Sequence, residues 1–146
     1  MDDRGIDGTR LRWGALAWLL TLQFFVVETI AELRFEVPYS RGDDVISDLG
    51  ASYSPAAALM NASFVVQGVL IAAGALLLRS ALPGRGGRLA TVLLAVAGAG
   101  VLVVGVVPLD ADGQVHAAGA VAYLLGSSVG LLALAGYFYL DHVKHG

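Results

Sequence analysis

The residues best suited to chemistry gather in the segment Arg41-Gly-Asp-Asp-Val-Ile-Ser-Asp-Leu-Gly-Ala-Ser-Tyr-Ser-Pro55, which lies between two long apolar runs. Asp44 and Asp48 are four residues apart, a spacing that sets two side chains on one side of a helix. Sheltered carboxylates can act as general acid and base, or can hold with a histidine a divalent metal that activates water. His116 is the candidate histidine, and Glu28 a further acid. These four, Asp44, Asp48, Glu28 and His116, are the candidate catalytic residues. Ser47 is expected to contact a ligand rather than attack it, because the sequence fixes no base beside it.

Further polar residues share the neighbourhood. Glu32 follows Glu28 by one helical turn. Asn61 and Gln67 lie in the first half of the second apolar run, and Asp110 and Asp112 precede His116. With Ser47, the expected ligand-contacting residues are Glu32, Asn61, Gln67 and Asp110. Each has a plainer use: the glutamates can meet water or Arg34 and Arg41 at an interface, the amides can bond neighbouring helices, and Asp48 can cap a helix start. No metal site is assigned and no cofactor can be named.

The elements that must position these residues are membrane helices. Hydrophobic residues make up 57% of the 146-residue chain and charged residues 14%, against roughly 25% charged in soluble domains. The mean hydropathy is +0.73. Four runs reach the ~20 residues a bilayer crossing needs: about 11–33, 55–78, 89–107 and 115–140. The expected fold is all-α, one domain over 1–146, a four-helix bundle with a short interfacial helix or re-entrant loop inside the connection 34–54. Ser54 and Pro55 read as the cap and first turn of the second helix. Val45, Ile46 and Leu49 would form one apolar face of the short helix. The first run reads as a retained helix, since no small-residue cleavage site follows a short apolar core.

Seven of the nine basic residues (Arg4, Arg10, Arg12, Arg79, Arg85, Arg88 and Lys144) fall on the side shared by both termini and the connection between helices two and three. The positive-inside rule makes that side cytoplasmic, in a prokaryotic plasma membrane on the resemblance below. The acidic loop 34–54 is then extracytoplasmic, and the polar residues above would line a polar chamber under it. Small residues suggest how the helices meet: Ala118, Ala122, Gly126 and Gly130 recur every four positions, and Thr91, Gly98 and Gly105 every seven. Bundle packing is the favoured use, a homodimer or a membrane-protein partner the alternative. His142 and His145 with Asp141 read as a solvated tail.

The sequence also excludes functions. Gly84-Arg-Gly-Gly-Arg88 lacks the Lys-Ser/Thr and strand context of a phosphate loop, in-membrane histidine pairs for haem are absent, and nothing suggests nucleic-acid binding. Without cysteine there is no disulfide or thiol chemistry. No helix carries a polar stripe across the bilayer as a channel would.

Four segments together, Asp44-Val-Ile-Ser-Asp-Leu-Gly50, Met60-Asn-Ala-Ser-Phe64 with Gln67-Gly68, Gly105-Val-Val-Pro-Leu-Asp110 and His116-Ala-Ala-Gly119, resemble the domain-of-unknown-function family DUF998, a group of multipass prokaryotic membrane proteins. Ile-Ser-Asp-Leu-Gly is also similar, more distantly, to the Frag/DRAM/Sfk group. The resemblance implies a multipass helical fold and no particular activity; such proteins often carry more than four helices. The expected function is binding of a lipid or other small amphiphile in an extracytoplasmic-facing pocket. Its alternatives are a membrane enzyme acting on a lipid-like substrate and a structural subunit of a membrane complex.

Overall fold

The computed structural model describes residues 7–145, without the side chains of Asp141, Lys144 and His145. Arg4, Lys144 and part of the histidine tail therefore lie outside what is described. The described residues form α1 (Gly8–Leu20), α2 (Gln23–Arg34), α3 (Ala57–Leu78), α4 (Gly84–Val106) and α5 (Gly113–His145), with no strand. They supply four helical spans long and apolar enough to cross a membrane: Gly8–Arg34, Ala57–Ala81, Gly84–Val106 and Gly113–Leu140. The protein is an all-helical membrane-type bundle.

The first span is jointed rather than continuous. The Thr21 hydroxyl donates to the Trp18 carbonyl at 2.5 Å, and the N–H groups of Thr21 and Leu22 reach back only three residues, to Trp18 and Leu19. A threonine that bonds its own preceding turn competes with the α-helical ladder, and the backbone tightens locally to 3-10 geometry. α4 starts at Gly84 rather than near Leu89, with Pro83 before it supplying the extended entry. α3 starts at Ala57, so Pro55 sits in the preceding turn; Ser54 Oγ accepts from the Ala56 N–H at 3.3 Å.

Packing runs across the bundle in the order α1 and α2, then α3, α4 and α5. α4 is the most buried span. It meets both neighbours backbone to backbone. A Cβ on Gly68 of α3 would lie 2.5 Å from the Gly98 carbonyl oxygen of α4, and one on Gly100 would lie 2.6 Å from that of Gly119 on α5. Lipid offers no hydrophobic drive for helix association, so such close approach supplies the dispersion contact that holds spans together. Thr91, Gly98 and Gly105 are buried as expected of a packing stripe, as are Gly126 and Gly130. Ala118 is exposed, however, and Gly119 takes its place, because α5 turns that face to α4.

The end of the bundle away from both termini, the distal end, is closed by residues 35–56. Within them Ile46–Gly50 forms a 3-10 turn. At three residues per turn, Ile46 and Leu49 share its inner side. Leu49 is fully buried with Ala31, Met60 and Phe64, and Ile46 packs on the same cluster. Val45 precedes the turn and is exposed, so it is not part of the apolar face. Asp44 also lies outside the turn, and the four-residue spacing to Asp48 therefore does not stack the two carboxylates.

Candidate functional site

The site begins with the cap of α5. Asp112 Oδ1 accepts from the N–H groups of Gln114 and Val115, both at 3.1 Å, which starts the helix and places His116 in its first turn. α4 ends at Val106, leaving the next carbonyl, that of Val107, without a helical partner. His116 Nδ1 donates to it at 2.7 Å. A carbonyl only accepts, so this bond fixes the ring tautomer, and Nε2 of the neutral ring is an acceptor. Ser47 Oγ lies 2.8 Å from Nε2 and donates to it. His116 is 3% exposed. The base that the sequence did not place beside Ser47 is thus present, brought from 69 residues away.

Other ties hold the turn that carries Ser47. Asn61 Nδ2 donates to the Gly50 carbonyl at 2.7 Å, and Gly50 has no side chain where the Asn61 amide packs against it. The Ser52 N–H donates to Asp110 Oδ2 at 3.0 Å, and its hydroxyl bonds the same oxygen. Tyr53 donates to Asp48 Oδ1 at 2.7 Å. That bond, then burial and neighbouring carboxylates, push the Tyr53 phenol up to about 12. The two bonds from Ser52 hold the Asp110 carboxyl below the usual carboxylate range.

Beneath Ser47 lies a cavity of about 230 Å³. Phe24, Phe64, Val101, Val104, Ala120, Tyr123 and Leu124 form most of its wall, with Ile46 and Ser47 above and Gln67 at the side. It is mainly apolar, not the polar chamber expected from the sequence. Gln67 is 8% exposed. Gln23 orients it: Gln23 Nε2 reaches the Ser63 carbonyl at 3.3 Å and Gln67 Oε1 at 3.4 Å, while Gln23 Oε1 accepts from the Ser63 hydroxyl at 3.0 Å. The Gln67 oxygen is thereby used, and its amide N–H2 makes no hydrogen bond among the described residues. The one fully sealed side-chain atom left unpartnered among the described residues is Asn61 Oδ1, so the Gln67 amide nitrogen is accessible, and Gln67 lines the cavity.

The remaining candidates stand apart from the cavity. Arg41 bonds Glu32 Oε2 at 2.6 and 2.9 Å and approaches Glu28 at 3.8 Å, strapping the loop to α2. The hydrogen bond that Arg41 donates to Glu32 is the main cause that raises its guanidinium above the ordinary value. Tyr39 nearby is also raised, first by burial and then by Glu28 and Glu32. Asp44 accepts from the Ser40 N–H at 2.8 Å. Asp44, Asp48, Glu28, Glu32 and Asp110 are therefore engaged in ties of the distal loops, and Asp48 meets neither Arg41 nor His116. Among the described residues no three His, Asp or Glu side chains converge on a metal position. Gln23, Ser52, Tyr53 and Val107 were not singled out in the sequence. Gln23 carried a signal as an amide inside an apolar run, and Ser52 and Tyr53 lie within the segment 41–55.

A larger groove of about 710 Å³ lies at the opposite end, between α3 and α4, with Arg79 and Arg88 beside apolar residues such as Leu76 and Val96. None of the candidate residues borders it.

A helical bundle of membrane-type spans, with a roofed apolar cavity at one end, is the class that fold and site define. Within that class, residues 12–143 match the family model described as Protein of unknown function (DUF998), and the chain belongs to this family. This match does not bear on the likeness to the Frag/DRAM/Sfk group. Comparison with curated proteins and with solved structures finds no match.

Proposed function

We propose that this multipass membrane protein binds a lipid or other small amphiphile in the cavity beneath Ser47, with the distal end facing the extracytoplasmic side. The Gln67 amide carries the reading. Its N–H2 has no hydrogen-bond partner among the described residues and Gln67 lines the cavity, so a carbonyl or hydroxyl oxygen on a bound molecule would satisfy it. The walls suit hydrocarbon. At about 230 Å³ the cavity is smaller than a pocket that encloses a whole ligand. Leu124 and Phe24 stand at its edge on α5 and α2, and Leu124 is exposed on the lipid-facing surface. One chain or one polar neck of an amphiphile would therefore enter while the rest lies along the bundle. The basic bias of the opposite end supports the orientation.

Ala120→Leu fills this cavity with apolar atoms and leaves the close glycine crossings untouched. Native mass spectrometry of protein released from nanodiscs is expected to show a retained amphiphile on the native chain and none on this variant, with the melting temperature kept. Equal retention by both chains overturns the reading.

A further inference from the structure

We propose that Ser47 is an acyl-accepting nucleophile and His116 its general base, acting on an ester-bearing amphiphile; this rests on the cavity being an amphiphile site. Three observations combine. The Val107 carbonyl holds Nδ1–H, so the acceptor face of the ring is aimed at Ser47 Oγ, 2.8 Å away. Nucleophile, base and a third group that orients the base form the general arrangement for activating a hydroxyl, here with a backbone carbonyl in the place often held by a carboxylate. Ser47 borders the cavity, which presents it to a molecule seated there. Gln67 lines the same cavity with a free amide N–H2, a donor of the type that holds an ester carbonyl and stabilises the charge its oxygen gains.

The step balances with water as co-reactant. Ser47 Oγ forms a bond to the acyl carbon while its proton passes to His116 Nε2. The ester C–O bond then breaks, and Nε2 returns the proton to the departing alkoxide, releasing an alcohol and leaving acyl-Ser47. Water attacks this ester, its proton taken by Nε2 and given back to Ser47 Oγ, and a carboxylic acid leaves. Lysis of an ester next to the bilayer surface is the chemistry this pair can perform.

A purely structural clasp would use the same hydrogen bond, so the test must read reactivity. Protein in nanodiscs of phosphatidylglycerol and phosphatidylcholine is treated with an alkyl fluorophosphonate, and the modified peptide is mapped by mass spectrometry. Labelling at Ser47 is expected, abolished in Ser47→Ala. In His116→Ala its rate should fall roughly 100-fold, the scale of a lost general base. Because His116→Ala can also loosen the fold, Ser52→Ala serves as a second variant: it weakens the loop's tie to Asp110 and leaves the pair intact, so it should keep labelling. Three results overturn the proposal: an unlabelled Ser47 in folded native protein, equal rates in native protein and His116→Ala, or loss of labelling in folded Ser52→Ala. An unlabelled chain that still retains its amphiphile sinks the chemistry alone, whereas a chain that retains none sinks the binding reading.

Discussion

Two kinds of contact hold the bundle, and they are built on opposite principles. Where α4 crosses its neighbours, cohesion comes from what is missing: Gly126 lets α5 approach so closely that a Cβ there would sit 2.8 Å from the Leu93 carbonyl oxygen. In the distal loops cohesion comes from hydrogen-bonded polar side chains, some paired across a long stretch of sequence, such as Ser52 with Asp110 and Ser47 with His116. Backbone contact leaves no space. Hydrogen-bonded side chains hold elements apart at fixed distances, and the space they keep is the cavity. A membrane protein can thus use glycine where it needs rigidity and amide, hydroxyl and imidazole groups where it needs an interior.

The sharpest way to break this contrast is Gly100→Leu. Its added atoms meet the backbone of Gly119 and Tyr123, which has no rotamer to yield. A loss of at least about 3 kcal/mol is expected, with separation of α4 from α5, read as a collapse of the melting temperature in detergent. An unchanged melting point would show that the close crossing is not what holds the bundle.

Asn61→Ala should act less strongly and on the distal ties. It removes the bond to Gly50 but also an unmatched buried oxygen, so the net cost stays below about 1 kcal/mol. Hydrogen exchange is expected to quicken at the amides of 46–52 while α4 and α5 keep their protection. Uniform quickening would mean that the distal loop and the glycine crossings open as one unit.

The smallest effect concerns Tyr53. Its phenol is raised to about 12 in the folded protein, from about 10 when free. The tie to Asp48 therefore contributes fully below about pH 10, and is lost as pH rises through about 12. Tyrosinate absorbance should include a late-titrating component that Asp48→Asn brings back toward the ordinary value. A titration unaffected by Asp48→Asn would remove this tie from the account.

Much of the architecture was legible in the sequence, because the length of an apolar run is a direct consequence of bilayer thickness. The four spans and the packing role of Gly98, Gly105 and Gly126 followed from that and from spacing alone. The distal segment was misread where helical periodicity was assumed: the turn at Ile46–Gly50 has three residues per turn, so Ile46 pairs with Leu49, and Asp44 falls outside it. The joint at Thr21 depends on a single hydroxyl choosing a backbone partner, which leaves no mark on hydropathy. Ser47 and His116 were both singled out, yet their meeting was hidden. No local pattern relates residues on different spans, and only the capped start of α5 fixes where the imidazole points.

The distances between these partners along the chain also bear on the order in which the protein is made. Ser52 waits for a residue 58 positions later, and Ser47 for one 69 positions later. A ribosome that has delivered the first two spans has produced the roof with its ties to Glu32 and Asn61, but without the partners of Ser47 and Ser52. The cavity also lacks the wall that Ala120, Tyr123 and Leu124 supply until α5 docks, so the last span made is the one that completes it.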